Sequence, residues 1–91
     1  MEFTFDPVTS EINLGKHGID FSDVQQLWAD RFAGVVEATS DSEPRFAAIA
    51  LSRGKLWTAF FTERARKMRL ISVRRARENE ERIYYESGRA G

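Results

Sequence analysis

Apolar and polar residues alternate over Glu2 to Phe5, which predicts a short strand. Asp6-Pro7 follows, an N-cap residue with proline at the first helical position, and the helix it opens is predicted to run to about Lys16-His17. Gly18 then ends it, because glycine takes the left-handed C′ conformation without steric cost. A second helix is expected from Asp20 or Ser22, with Phe21, Val24, Leu27 and Trp28 at helical spacing along one face. Both helices are short and amphipathic, so they need a surface to pack on.

That surface is a sheet. From Phe32 to Val73 the chain is dense in strand-forming residues interrupted by turn-like clusters. Strands are predicted at Phe32 to Thr39, Arg45 to Leu51, Leu56 to Phe61 and Met68 to Val73, with Ser40-Asp41-Ser42 and Ser52-Arg53-Gly54-Lys55 as connections. The Leu56 to Phe61 strand is almost continuously apolar, which suggests a central position, and Ala47, Ala48, Ala50 and Ala59 would let helices approach closely. A terminal helix is expected from Arg75 to about Glu86, carrying Ala76, Glu80, Ile83 and Tyr84 on one stripe, with a frayed tail at about 87–91. With no internal repeat or linker, residues 1–91 read as one α+β domain.

Charge changes the picture more than composition does. The formal net charge is +0, yet residues 1–43 carry nine acids and two bases, and residues 44–77 carry one acid and ten bases. Seven of the fourteen basic residues lie between Arg64 and Arg77, around the apolar run Leu70-Ile71-Ser72-Val73. A concentrated cationic surface of this kind suits a phosphate chain, whereas a solvated turn paired to the acidic half is the plainer alternative. Absence of cysteine excludes disulfides, thiolate metal sites and a cysteine nucleophile, and a single His excludes a multi-histidine metal centre. No metal or cofactor is expected. The N-terminus has no signal-like basic and apolar pattern and no stretch reaches membrane-spanning length, so a cytoplasmic location without membrane association is expected. Glu80, an acid on an otherwise sheet-facing stripe, requires a partner, and Arg69 and Arg74 are the candidates for a structural ion pair.

Several segments together resemble the BrnT toxin family: Phe3-Thr4-Phe5-Asp6, Asn13, Lys16-His17-Gly18-Ile19 with Phe21, Ser42-Glu43 with Arg45, Arg69 through Ala76, and Asn79-Glu80 with Tyr84. The resemblance runs from about residue 3 to residue 86. It implies a RelE-like fold, with an antiparallel-rich sheet packed against two N-terminal helices and one C-terminal helix, and a ribonuclease toxin of a type II toxin–antitoxin pair. It also implies a directly bound BrnA-like antitoxin with a ribbon-helix-helix DNA-binding domain, so that DNA is met only through the partner. The chain departs from the family pattern in having Phe5 where Trp is common, Thr9 where Lys is common, and Ala50-Leu51 where an apolar residue followed by glycine is usual.

RNA brings its own nucleophile, the 2′-hydroxyl, so a protein without thiol or metal cluster need only move protons and stabilise the developing phosphorane charge. His17 is the leading acid–base candidate as the only imidazole, with helix capping as its structural alternative, and Glu43 is the second. Arg64 and Arg74 complete the expected catalytic set, while Lys16, Arg45, Arg66, Lys67 and Arg69 are expected to bind RNA phosphates. In a regular last strand Arg69 and Arg74 would face opposite ways, one anchoring Glu80 and the other meeting RNA. Tyr84 and Tyr85 offer stacking surfaces, with core packing the alternative for Tyr84. The competing functional reading is a catalytically silent RNA- or antitoxin-binding module acting as a co-repressor partner, favoured by Thr9. For the antitoxin contact, a basic patch and an exposed strand edge remain open alternatives.

Overall fold

Asp6 and Gly18 delimit the first helix where the sequence places its ends. In the computed structural model, which describes residues 2–38 and 44–90 and the side chains as far as residue 87, the Asp6 carboxylate accepts from the Val8 N–H at 2.9 Å. At the other end Gly18, at φ +78°, donates to the Leu14 carbonyl at 2.9 Å. The elements run β1 (Glu2–Thr4), α1 (Pro7–His17), α2 (Phe21–Val24) continuing as a 3₁₀ segment (Gln25–Ala29), β2 (Gly34–Ala38), β3 (Arg45–Ser52), β4 (Lys55–Arg64), β5 (Lys67–Arg75) and α3 (Glu78–Ala90). The architecture is α+β, with three helices and a five-stranded mixed sheet in the order β1-β5-β4-β3-β2. Only β1 runs parallel to its neighbour, β5. Its central strand is β4, the one whose apolar run predicted that position. Among the described residues no helix is long and apolar enough to cross a membrane.

Strand alternation gives the sheet two different faces. Ala48, Ala50, Trp57, Ala59, Phe61, Leu70 and Val73 meet Ile19, Phe21, Val24 and Leu27 on one side, forming the main core. Phe21 and Val24 are wholly buried, each stabilising by roughly 1.5–3 kcal/mol relative to exposure. Edge-on ring contacts from Phe3 to Trp28 and from Trp28 to Phe61 extend this core to β1. On the other side α3 brings Tyr84 and Ile83 onto Ile49 and Leu56. Asp30 joins the two halves: its carboxylate accepts from the Leu51 N–H at 2.8 Å, the Phe32 N–H at 2.9 Å and the Tyr84 hydroxyl at 2.7 Å. Burial opposes its charge, but the two backbone donors and the hydroxyl prevail and the carboxyl titrates below its usual value. Burial and the same carboxylate push the Tyr84 phenol up to about 12.

Several boundaries differ from expectation: β4 extends from Lys55 to Arg64 through its pairing with β3 and β5, and α3 continues to Ala90 where a frayed tail was expected from about 87. The second helix tightens to 3₁₀ geometry after Val24, which still keeps Leu27 and Trp28 on the core side. Strand β2 starts at Gly34 rather than Phe32, because Asp30 first closes a turn through the Phe32 N–H. Helix α3 starts at Glu78 rather than Arg75, since β4 pairing carries β5 as far as Arg75.

Helix α1 turns polar side chains inward. Ser10 accepts from the buried Phe21 N–H at 2.9 Å. Asn13 accepts from the Val73 N–H at 3.0 Å and donates to the Ile19 carbonyl at 2.8 Å, so one amide satisfies β5 and the interhelical turn together. Asn13→Ala strands a buried donor and a buried acceptor. We expect a loss of roughly 2–4 kcal/mol, measured by urea denaturation; a loss under about 0.5 kcal/mol would contradict the bridging role.

Candidate functional site

The cationic run from Arg64 to Arg77 does not form one patch. The tight turn at Ala65 and Arg66, both at positive φ, pairs Arg64 with Lys67 and sets the β4–β5 register. Between Phe61↔Leu70 and Phe60↔Ser72 the register slips by one residue, leaving Ile71 as a bulge. Arg69 then pairs with Thr62 and Arg74 with Thr58, two positions of equal parity in β4. They therefore share a face, contrary to the expectation for a regular strand. Trp57 pairs with Arg75, so Arg75 alone of the strand's cations points to the other side. The register places Arg45, Arg64 and Lys67 on the α3 side with Arg69 and Arg74.

On that α3 side Arg74 is committed. Its guanidinium holds Glu80 in a bidentate pair at 2.7 and 2.8 Å, and its Cζ lies 5.2 Å from the centre of the Phe60 ring. Glu80 also accepts from the Arg77 N–H at 2.7 Å, the N3 residue of α3 reaching back to close the helix start. Burial works against the Glu80 charge, but Arg74 and the Arg77 N–H outweigh it, and the carboxyl titrates below its usual value. The expected structural pair of Glu80 is thus present, with Arg74 as its partner. Lys67 is 3.4 Å from Glu2. Arg66 occupies the turn itself, and Glu43 lies outside the described residues.

His17 is on the opposite face. As the last residue of α1 it borders an open cleft of about 250 Å³ that is also lined by Gly18, Arg53, Lys55, Trp57 and Arg75. Lys16 precedes it, exposed, in the same last turn. The left-handed Gly18 stops the helix there, and the β3–β4 turn at Arg53-Gly54 lifts Arg53 and Lys55 to the same rim. Trp57 is only 6% exposed and its indole N–H donates to the Ser52 carbonyl at 3.2 Å. Its ring carries the Arg75 guanidinium, with Cζ 5.6 Å from the ring centre. Arg53 is held by Asp23 at 3.0 Å.

The structure thus brings His17 together with Arg53, Lys55 and Arg75, and not with Arg64 or Arg74. Sequence reading missed those three cations and Trp57. Period-two alternation from Lys55 to Trp57 was a readable signal for part of the cleft, whereas the role of Arg75 depended on the bulge. Tyr84 is core, as its alternative reading had it, and Tyr85 packs edge-on against it.

A small mixed-sheet domain that turns an imidazole and three cations to one rim offers a surface of the charge a polyanion requires. The family model for the BrnT ribonuclease toxin of type II toxin–antitoxin systems matches residues 5–80, and the chain belongs to that family. A protein antitoxin is the partner such a system implies. A comparison with curated proteins gave no significant match.

Proposed function

We propose that the chain is a metal-independent endoribonuclease of RelE-like fold that inhibits translation and growth and is neutralised by a directly bound antitoxin. The observation that carries this reading is the cleft in which the only imidazole meets Arg53, Lys55 and Arg75. His17 takes the proton from an RNA 2′-hydroxyl as that oxygen bonds to the adjacent phosphorus. The bond from phosphorus to the 5′-oxygen breaks, leaving a 2′,3′-cyclic phosphate and a 5′-hydroxyl whose proton comes from Lys55 or solvent. Arg75, steadied on Trp57, offers paired donors to two phosphate oxygens where charge accumulates. Arg69, Lys67 and Arg45 are assigned to the trailing strand or to other contacts, since they face away from the cleft.

The silent-module reading drew on Thr9. That residue lines a separate depression with Asp6, Arg69, Leu70 and Ile71, so the missing family cation does not belong to the His17 cleft. The test is incubation of antitoxin-free protein with end-labelled RNA and excess chelator. Fragments ending in 2′,3′-cyclic phosphate are expected; intact RNA in the presence of verified folded protein would sink the free-enzyme reading.

A further inference from the structure

Helix α1 is built inside out. Its buried positions are the polar Ser10 and Asn13, while Val8, Ile12 and Leu14 are 62%, 52% and 47% exposed. At 100° per residue Val8, Ile12 and Gly15 form one line directed away from the sheet, whereas Leu14 lies about 120° around the helix from Val8, off that line. No atom lies within 4 Å of the place a Cβ on Gly15 would take, so the line ends in a notch open to close approach. Core packing does not explain these apolar residues, because α1 is held to β5 and to the following turn through Ser10 and Asn13.

The surroundings of the line are polarised. Asp6 and the exposed Glu11 lie toward its start and Lys16 beside its end, while His17, on the opposite side of the last turn, enters the cleft with Arg53, Lys55 and Arg75. A partner lying along this face would meet acid, then apolar surface, then base. A second copy of the chain docked through this same face would offer Asp6 and Glu11 to the basic groups of the cleft, a poor match in number. A type II system brings a separate protein partner.

We infer that this face of α1 docks the antitoxin through a single amphipathic helix. Apolar side chains of that helix seat on Val8 and Ile12 over the open Gly15 position, a basic end lies by Asp6 and Glu11, and an acidic end passes Lys16 to reach over the His17 cleft. Docking itself stands on the α1 surface, while its consequence as inhibition rests on the cleft being the nuclease site.

The experiment compares wild type with a Val8→Glu/Ile12→Glu double variant by calorimetric titration with the cognate antitoxin. Sedimentation of the free chain and cleavage of labelled RNA run in parallel. The expected result is a loss of antitoxin affinity of at least 100-fold with helicity and RNA cleavage by the free variant unchanged. Should the acidic pair disturb folding, Val8→Ala/Ile12→Ala keeps the helix and is expected to lose at least 10-fold. Unchanged affinity in folded variants overturns the inference. A wild-type dimer that the variant abolishes, with antitoxin affinity intact, also overturns it and gives the face to self-association. Loss of affinity with no cleavage by either free protein leaves the docking inference standing and removes the nuclease reading instead.

Discussion

His17→Ala is expected to lower RNA cleavage by about 10²–10⁴-fold, the usual contribution of a positioned acid or base, while changing stability by less than about 0.5 kcal/mol. The residue is exposed at a helix end and is not a member of the core cluster, so activity and folding are expected to separate there. Arg75→Ala should follow with a loss of about 10²–10³-fold, the scale for removing one preorganised charge-stabilising donor. Arg69→Ala, outside the His17 cleft, should change single-turnover cleavage of a short oligonucleotide by less than about threefold, well under the tenfold per 1.36 kcal/mol of barrier. Single-turnover rates on folded protein measure all three. Equal losses in the Arg69 and Arg75 variants would count against a site confined to the cleft.

Glu80→Ala attacks the fold instead. It leaves the Arg74 guanidinium partly buried beside Phe60 without its carboxylate, and it strips the Arg77 N–H at the start of α3. Removing one partner of a buried pair costs up to 3–5 kcal/mol, and the partial exposure of this one suggests roughly 2–4. For a domain of this size that lowers Tm by roughly 10–25 °C. The sign of the pH dependence follows from the lowered Glu80 carboxyl. Its contribution is fully present above the unfolded value, near 4.5, and is lost as pH falls through the lower folded value. Urea denaturation at pH 7 and pH 3 should show a smaller acid-induced loss in Glu80→Gln than in wild type. Arg74→Ala should be destabilised similarly yet retain cleavage per folded molecule. If Arg74→Ala stays fully stable and loses cleavage, Arg74 belongs to the catalytic machinery after all.

Local chemistry made much of the fold legible. Asp6-Pro7 and Gly18 are decided by capping and backbone sterics within a few residues, and the apolar density of Leu56 to Phe61 announced a central strand. Glu80 was readable as an acid in need of a cation. Its partner was not, because the choice between Arg74 and Arg75 hangs on one unpaired residue. In a bulge-free β5 the register set at Arg64↔Lys67 would put Arg74 opposite Trp57 and send Arg75 toward α3. Ile71 exchanges the two arginines, and no side-chain pattern in Arg69 through Ala76 marks it. The same slip divides a linear cluster of cations between two faces, which is why charge counted along the chain overstated a single surface. His17 was identifiable as the only imidazole, but its neighbours come from a turn and two strands that lie far apart in sequence.

That last point has a bearing on biosynthesis. His17 leaves the ribosome before the Arg53 turn and Arg75 after both, while β1 can pair with β5 only after residues 67–69 have been made. The long-range contacts that build the cleft therefore form only after β5 has been made. A growing chain lacks the proposed site, however much of it has folded, until Arg75 has emerged.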